Sequence, residues 1–278
     1  MNNYILVVLD SCRYDSFLRA EPRAMARLGT VEQRYSYASW TAPSHYNLLM
    51  GLMPHCSPRR TIAAEYYRRE FFRFNERLGV DHLEFKSFVP KLYLPLFLKE
   101  RLGYATHAMV SLPVLNPRTI LNQGFDTYTL MPAHNDMLAM VRAMRFAEER
   151  PSFFVLNVGE THYPYSLPYE DSRQFARIQG LHGVLKHFGD VVVDAQVVSD
   201  DGGIPTAAAM REMQDRQVAA VRYLDRIVEE LVDVVPDNTY ITITSDHGEL
   251  FGEDGYFGHG PILHPKVLEV PFVEGKVR

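Results

Sequence analysis

Metal-binding and acid–base side chains follow three apolar runs of this sequence. The runs comprise residues 4–9, Ser152–Val158 and Thr239–Thr244. Their length, their β-branched residues and the polar residues that bound them predict buried parallel strands. Ligands of open parallel sheets gather at the carboxyl ends of the strands. We therefore expect Asp10, Asp246 and His247 to meet at one sheet edge, where two carboxylates and an imidazole could bind a divalent metal.

A hydroxyl group that could act as a nucleophile lies in the segment Ser39-Trp40-Thr41-Ala42-Pro43-Ser44-His45. The pattern predicts that a helix begins near Thr41. A metal could ionise a hydroxyl at that place, and the helix dipole would favour the alkoxide. An anionic ester would then be held by the metal, the helix N-terminus and nearby His or Arg side chains.

The elements between these runs must position them. Apolar residues at helical spacing predict helices at residues 210–235, 137–150 and Leu94–Leu102. Helices that alternate with buried strands indicate a mainly parallel sheet that is covered on both faces. The expected fold class is therefore α/β, a three-layer sandwich, with residues 1–278 as one domain.

Two regions fit this alternation less well. Residues 59–77 mix arginines with aromatic residues, which is typical of an amphipathic surface helix or, alternatively, of a cationic wall for an anionic substrate. Residues 165–205 contain scattered Gly, Pro and Asp, and we expect a long excursion there, a lid or insertion over the active face.

Composition excludes several classes of protein. The chain has 278 residues, a net charge of −5 and two cysteines, Cys12 and Cys56. This charge argues against a nucleic-acid partner, and two cysteines argue against a disulfide framework. The sequence shows no signal peptide and no apolar run long enough for a membrane span, so we expect a cytoplasmic protein. Oligomeric state is not indicated.

An ordered set of motifs spans almost the whole chain. Its members are Asp10-Ser11-Cys12-Arg13-Tyr14-Asp15, Thr41-Ala42-Pro43-Ser44 through Gly51, Leu102-Gly103-Tyr104-Ala105-Thr106, Gly124-Phe125-Asp126, His162-Tyr163-Pro164-Tyr165, Leu224-Asp225, Ser245-Asp246-His247-Gly248-Glu249, Gly258-His259-Gly260 and Val270-Pro271. The set resembles the motifs of the sulfatase-like branch of the alkaline phosphatase superfamily, and its order is far more specific than any one of its members.

The resemblance implies a metal centre and a covalent mechanism. It makes Asp10, Asp246 and His247 metal ligands, and Thr41 the nucleophile that also touches the metal. Thr41 would attack phosphorus or sulfur in line, release an alcohol and leave a covalent intermediate for water or an acceptor alcohol.

The resemblance also implies substrate-binding residues. His162 and His259 match positions that bind substrate oxygens or protonate the leaving group. Arg13 and His45 are weaker candidates for binding the anion or for orienting Thr41.

The chain departs from a typical sulfatase in three respects. Sulfatases convert a cysteine or serine of Cys-x-Pro-x-Arg to formylglycine, and Thr41 stands at that position here. Cys56-Ser57-Pro58-Arg59 satisfies the string, but it follows the Leu-Leu-x-Gly stretch instead of preceding it, so we favour Thr41 as the nucleophile. The chain also ends soon after Pro271, which implies an alkaline-phosphatase-like fold that lacks most of the sulfatase C-terminal subdomain.

Together these features predict a metal-dependent hydrolase of phosphate mono- or diesters that acts on a small anionic substrate. Alternatives are a soluble transferase that passes the phospho group to an acceptor hydroxyl, a sulfatase modified at Cys56, and a non-catalytic binding protein. The ligand set favours zinc or manganese, and calcium or magnesium would normally require more oxygen ligands. One metal site is expected; a second would need further ligands, for which Glu160, His162 and His259 are the candidates.

Overall fold

The protein is described here from a computed structural model, which covers residues 1–56, 93–170, 206–260 and 262–277. Its centre is a seven-stranded sheet. The strands of this sheet are β1 (Asn3–Leu9), β2 (Glu32–Tyr35), β3 (Ala105–Val110), β4 (Thr127–Leu130), β5 (Ser152–Val158), β6 (Thr239–Thr244) and β9 (Glu269–Lys276), and they lie in the order β2-β9-β6-β1-β5-β3-β4. A separate hairpin is formed by β7 (Leu250–Phe251) and β8 (Phe257–Gly258).

The three predicted strands are confirmed, and they lie side by side. β1 pairs in parallel with β5 on one side and with β6 on the other. In this register Val8 lies opposite both Asn157 and Thr244. The residues that follow the three strands therefore emerge at one edge of the sheet, as expected from their sequence pattern.

Helices cover both faces of the sheet, so the predicted three-layer α/β sandwich is confirmed. Alternate residues of β1 point to opposite sides: Ile5 belongs to one apolar cluster and Leu6 to another. The helices are α1 (Tyr14–Ala20), α2 (Arg23–Leu28), α3 (Thr41–Leu49), α4 (Leu94–Leu102), α5 (Met137–Ala143), α6 (Ala207–Val234) and α7 (Pro265–Leu268).

The long helix α6 packs along one face through an apolar stripe. Val221, Leu224 and Val228 are fully buried in the same cluster as β1. Burial of each such side chain contributes about 1.5–3 kcal/mol of transfer free energy. Asp225, the next residue after Leu224, accepts hydrogen bonds from the backbone N–H groups that begin α2. The motif Leu224-Asp225 therefore has a structural role.

The helix boundaries follow the sequence with one correction. α4 begins and ends as predicted, and α6 agrees with the predicted 210–235 to within three residues. The helix predicted at residues 137–150 is wrong in length, because α5 ends at Ala143. Arg145 donates to the carbonyl oxygens of Arg142 and Met144, and the Ser152 hydroxyl accepts from the N–H of Ala147, so the chain turns towards β5 instead of continuing as a helix.

Two predicted features fall on other parts of the chain. Residues 59–77 and most of the predicted lid, residues 171–205, lie outside the described residues. Within the described residues, none of the helices has the length and apolar character that crossing a membrane requires.

Candidate active site and metal centre

The loops that follow β1 and β6 are hydrogen-bonded to each other. The N–H of Ser11 donates to Oδ1 of Asp246 (3.1 Å), and the N–H of Cys12 donates to the Ser245 hydroxyl (2.9 Å). Ser11 has a φ of 60°, a left-handed conformation that is uncommon for a residue other than glycine. These bonds place Asp10 and Asp246 next to each other at the sheet edge.

Asp10 is fully buried and oriented by an amide. The Nδ2 group of Asn157, near the end of β5, donates to Oδ2 of Asp10 (2.7 Å). Oδ1 of Asn157 accepts from the N–H groups of Ser111 and Leu112, which determines which way round the amide lies. The other oxygen of Asp10, Oδ1, lies 3.5 Å from the hydroxyl of Thr41.

Thr41 is the first residue of α3, as the sequence predicted. Its buried hydroxyl lies 3.3 Å from Nε2 of His247. Nδ1 of His45 donates to the backbone oxygen of Thr41 (2.8 Å), so this histidine holds the first turn of the helix. The Thr41 hydroxyl thereby lies between the β1 and β6 strand ends.

His247 presents a neutral ring nitrogen to Thr41. Its Nδ1 donates to the backbone oxygen of Gly248 (2.9 Å), which leaves the lone pair of Nε2 directed at the site. Burial lowers the pKa of His247 well below its usual range, and the neighbouring His259 adds to this effect. A neutral imidazole with one nitrogen bonded to a backbone carbonyl is the form in which histidine ligates metals.

Asp246 carries the clearest sign that a cation belongs here. Its Oδ1 accepts from two backbone N–H groups, whereas Oδ2 is buried and has no hydrogen-bond partner among the described residues. Burial and the nearby Asp10 raise the pKa of Asp246 well above its usual range. A buried carboxylate next to a second carboxylate is costly unless a positive charge offsets the pair.

The donor set fits a divalent metal. Ligand atoms of Asp10, His45 and Asp246 lie within 4.8 Å of one another. Nε2 of His247 lies 3.3 Å from the unpartnered Oδ2 of Asp246. Both nitrogens of His45 already have neighbours, because Nδ1 bonds to Thr41 and Nε2 faces the Asn157 amide at 3.2 Å. Asp10, Thr41, Asp246 and His247, the four predicted ligands, are therefore brought together, with His45 behind them.

His162 and His259 lie beside this cluster. The ring of His259 is 4.3 Å from that of His247 and 5.4 Å from that of His162, measured between centroids. Nδ1 of His162 donates to the backbone oxygen of Tyr163 (2.8 Å). His259 therefore lies against His247, and His162 lies against His259. Their role near the ester stays a prediction.

A buried carboxylate orients His259. Nδ1 of His259 donates to Oε1 of Glu249 (2.8 Å), whose Oε2 accepts from the Tyr165 hydroxyl (3.0 Å). Burial alone would lower the pKa of His259, but the charge of Glu249, the hydrogen bond to it and the charge of Asp10 together outweigh burial and raise the pKa. His259 is therefore disposed to carry a proton.

Arg13 has partners that differ from the predicted one. Its guanidinium, almost fully buried, bonds to both oxygens of Asp15 and to Oε1 of Glu253 (2.6 Å). Two carboxylates already neutralise this cation, so the geometry gives Arg13 a structural role and does not place it as a free group for an anion. Its role in substrate binding stays a prediction.

Two further candidates differ from the cluster in their surroundings. Oε1 of Glu160 accepts from the N–H of Met137 at the start of α5, and a second metal site at Glu160 stays a prediction. Cys56 is exposed, whereas Thr41 is buried against Asp10 and His247.

Three residues of the site were missed by sequence reasoning. Asn157 orients Asp10, Glu249 orients His259, and Gln217 joins two loops as described below. Asn157 is the one amide in an otherwise apolar strand, and Gln217 interrupts the apolar face of a helix. Those interruptions are the signals that could have identified them.

Comparison with known proteins agrees with this geometry. The family model described as Sulfatase matches residues 2–273. No curated protein matches the sequence. Solved structures with the same fold are known, and three are similar over nearly the full length of this chain.

The C-terminal periplasmic domain of EcEptC from Escherichia coli, in complex with Zn, has a TM-score of 0.57 at 14% identity. The match covers 100% of this chain and 73% of the EcEptC chain. The soluble domain of lipooligosaccharide phosphoethanolamine transferase A from Neisseria meningitidis has a TM-score of 0.53 at 15% identity (99% and 76%). Phosphonate monoester hydrolase of Agrobacterium radiobacter has a TM-score of 0.55 at 15% identity (99% and 68%).

At these identities the likeness concerns the fold, which is alkaline-phosphatase-like as predicted. The periplasmic origin of the first domain gives no support to the expected cytoplasmic location, which stays a prediction. The family match extends over almost the whole chain and includes every residue of the cluster. The protein therefore belongs to the Sulfatase family, as an enzyme that hydrolyses or transfers phosphoric or sulfuric esters.

Proposed function

We propose that the protein is a metal-dependent hydrolase of phosphate mono- or diesters that acts through a covalent intermediate on Thr41. One observation carries the proposal: the Thr41 hydroxyl, at the start of α3, lies 3.3 Å from His247 Nε2 and 3.5 Å from Asp10 Oδ1. A threonine cannot be matured to formylglycine, and a hydroxyl nucleophile at a metal site is suited to phosphoryl transfer.

Asp10, Asp246, His247 and Thr41 would hold the metal. The set contains two carboxylates, one imidazole and one hydroxyl, which favours zinc or manganese over calcium and magnesium. A bound divalent cation would lower the pKa of the Thr41 hydroxyl and offset the negative charge of the ester. The presence of Zn in the similar periplasmic domain supports zinc as the first metal to test.

The residues divide the reaction between them. The Thr41 hydroxyl gives up its proton to solvent, and its oxygen forms a bond to phosphorus as the bond from phosphorus to the ester oxygen breaks. The departing alkoxide needs a proton. His259 is the better placed donor, because Glu249 raises its pKa and occupies Nδ1, which leaves Nε2–H for the leaving group. His162 binds a substrate oxygen. Water then cleaves the phosphothreonine and regenerates Thr41.

Transfer of the phospho group to an alcohol is the second candidate. It is favoured by the likeness in fold to the soluble domain of lipooligosaccharide phosphoethanolamine transferase A. The chemistry up to the phosphothreonine is the same, and only the acceptor differs. Turnover with and without an added primary alcohol, followed by product analysis, separates the two reactions: hydrolysis yields inorganic phosphate or a free phosphomonoester, and transfer yields a new ester.

The decisive experiment replaces the nucleophile. A screen of phosphate mono- and diesters, with sulfate esters included, identifies a substrate for the zinc- or manganese-loaded wild type. We expect Thr41→Ala to lower kcat by at least about 10³-fold, because removal of a nucleophile abolishes the covalent route. Ser44→Ala is the matched control, since Ser44 is a buried hydroxyl on the same helix that bonds to the Ala38 backbone oxygen instead of facing the site.

Each result has a definite consequence. Unchanged turnover in Thr41→Ala contradicts the proposal. Activity on sulfate esters alone, with a formyl group on the Cys56 peptide, would favour the sulfatase alternative. Absence of metal after supplementation, together with no turnover, would favour a binding protein on this fold.

A further inference from the structure

Gln217 is a buried amide in the middle of an apolar helix face. It lies on α6, and its neighbours on the buried side include Met213, Val218 and Val221. A buried amide costs free energy unless its donors and acceptor are satisfied. An apolar residue would suit the helix better, so the amide needs another explanation.

The Gln217 side chain joins the loops that follow β1 and β5. Its Nε2 group donates to the backbone oxygen of Ser11 (2.9 Å) and to that of Thr161 (3.0 Å). Its Oε1 accepts from the N–H of Arg13 (3.3 Å). Both amide hydrogens and the amide oxygen are therefore used, and all three partners are backbone groups.

The two loops carry residues of the site. The first contains Asp10, and the second contains His162 next to Thr161. The Thr161 hydroxyl also donates to the backbone oxygen of Asp10 (2.8 Å), so the loops already touch at one point. The hydrogen bonds from Gln217 add a second connection between the loops and link both loops to the 28-residue helix α6.

The conformation of Ser11 needs such a restraint. With a φ of 60°, Ser11 occupies a region that costs a non-glycine residue energy and persists only when its surroundings hold it. The Ser11 N–H is held by Asp246, and its carbonyl is held by Gln217. Loss of the second restraint would let the turn relax and displace Asp10 relative to Asp246.

We propose that Gln217 is a positioning residue for the ester reaction, which holds the Asp10 and His162 loops at the separation that metal binding and turnover require. This inference rests on the proposed function, because it assigns Gln217 to that site. Only a side chain with two donors and one acceptor, at this length, satisfies all three backbone groups. Glutamate lacks the donors, and methionine lacks both donors and acceptor.

The test uses Gln217→Met, which keeps length and removes the hydrogen bonds, with Gln217→Glu as a second variant that keeps polarity. Gln214→Met, half-buried on the same helix, controls for the change of residue type. Val228→Ala, three turns further along α6, controls for loss of stability. Measurements are hydrogen–deuterium exchange of peptides covering residues 8–14 and 158–163, zinc affinity by competition with a chelator, and kcat and KM.

We expect faster exchange in both peptides, zinc affinity weaker by about 10–100-fold, and kcat lower by a similar factor. Both controls should keep wild-type exchange in these peptides and wild-type zinc affinity. Unchanged exchange overturns the proposal, and so does faster exchange with wild-type zinc affinity and kcat, since Gln217 would then be merely structural. Equal losses in Val228→Ala also overturn it.

Failure of the proposed function would be seen separately. If Thr41→Ala keeps full turnover, the nucleophile is wrong, yet exchange and zinc affinity still decide the role of Gln217. If the wild type binds no metal and hydrolyses no ester, the site has no reaction for Gln217 to serve, and both proposals fall.

Discussion

This protein contains two pairs of neighbouring acidic residues. The two pairs differ in the positive charge that surrounds them. Asp15 and Glu253 both bond to the Arg13 guanidinium, and Lys266 reaches Asp15 at 2.8 Å. Burial alone would raise the pKa of Asp15, but Arg13 and Lys266 lower it to about 2. This pair is neutralised by the chain's own cations.

Asp10 and Asp246 form the other pair, fully or almost fully buried. Their neighbours are the N–H groups of the backbone, an amide and histidines held neutral by burial, His45 and His247. None of these brings a full positive charge, and burial together with the charge of Asp10 raises the pKa of Asp246.

The comparison agrees with a structural role for the first pair and with the metal site proposed for the second. Carboxylates that stabilise a fold are paired with cations of the same chain, as Asp15 and Glu253 are. Carboxylates that bind a metal have no cation of the chain to balance their negative charge, and this imbalance lowers the stability of the metal-free protein. The positive charge that Asp10 and Asp246 lack is the one that a metal would bring.

The strongest test of this difference is Asp246→Asn. We expect turnover to fall by about 10³-fold or more, because a metal ligand is lost. The metal-free variant should nevertheless be more stable than the metal-free wild type, because the repulsion from Asp10 is removed. We expect its free energy of unfolding to be higher by on the order of 1 kcal/mol. Urea unfolding in the presence of a chelator measures the second effect.

Addition of zinc should reverse the order of stability. At about 100 times the dissociation constant, binding stabilises the wild type by about 2.7 kcal/mol and leaves the variant unchanged. Equal stabilisation of the two proteins would show that the metal binds elsewhere. Lower stability of the metal-free variant would contradict the charge argument.

Arg13→Met should have the next largest effect, on stability. Removal of the cation leaves Glu253 without this partner and Asp15 with Lys266 alone. Because both carboxylates are about one-third exposed, we expect a loss of about 3 kcal/mol in the free energy of unfolding, the low end for a buried pair. Arg19→Met is the control, because Arg19 pairs with Asp215 in an exposed ion pair that should contribute no more than about 1 kcal/mol.

Activity of Arg13→Met separates the two interpretations of this residue. If Arg13 binds the substrate anion, KM rises sharply at a temperature at which the variant is folded. If its role is structural, KM changes little and only the unfolding transition moves. We expect the second result from the bonds to Asp15 and Glu253.

The smallest expected effect is the acid dependence of Asp15. Its folded-state pKa of about 2 lies below the ordinary value of 3.8, so its contribution is present above pH 4 and is lost as the pH falls towards 2. Because the side chain is one-third exposed, we expect on the order of 1 kcal/mol. The difference in stability between wild type and Asp15→Asn should shrink over that range.

Asp246 should show the opposite sign without metal. A raised pKa means that the folded state binds the proton more tightly, so the ionised form costs stability above pH 4. The advantage of metal-free Asp246→Asn over wild type should therefore shrink as the pH falls and Asp246 becomes protonated. If the stability differences from wild type of Asp15→Asn and of metal-free Asp246→Asn changed with pH in the same direction, the contrast between the two acidic pairs would be contradicted.

Much of the fold and the site could be predicted from local sequence. Strands β1, β5 and β6 are short apolar runs, and α4 and α6 carry clear helical periodicity. Such patterns depend on neighbours within a few residues, and the sheet then brings the strand ends together. Asp10, Thr41, Asp246 and His247 were identified in this way, with help from their order along the chain.

The tertiary structure alone decided which polar groups meet. Asn157 reaches Asp10 across 147 residues of sequence, and Gln217 reaches Ser11 across 206. Arg13 is a candidate for binding the anion or for orienting Thr41, and the structure pairs it with Glu253, 240 residues away in the sequence. The local pattern shows that these residues are polar within apolar surroundings. Their partners depend on strand register and helix placement, which arise only when distant segments pack against each other.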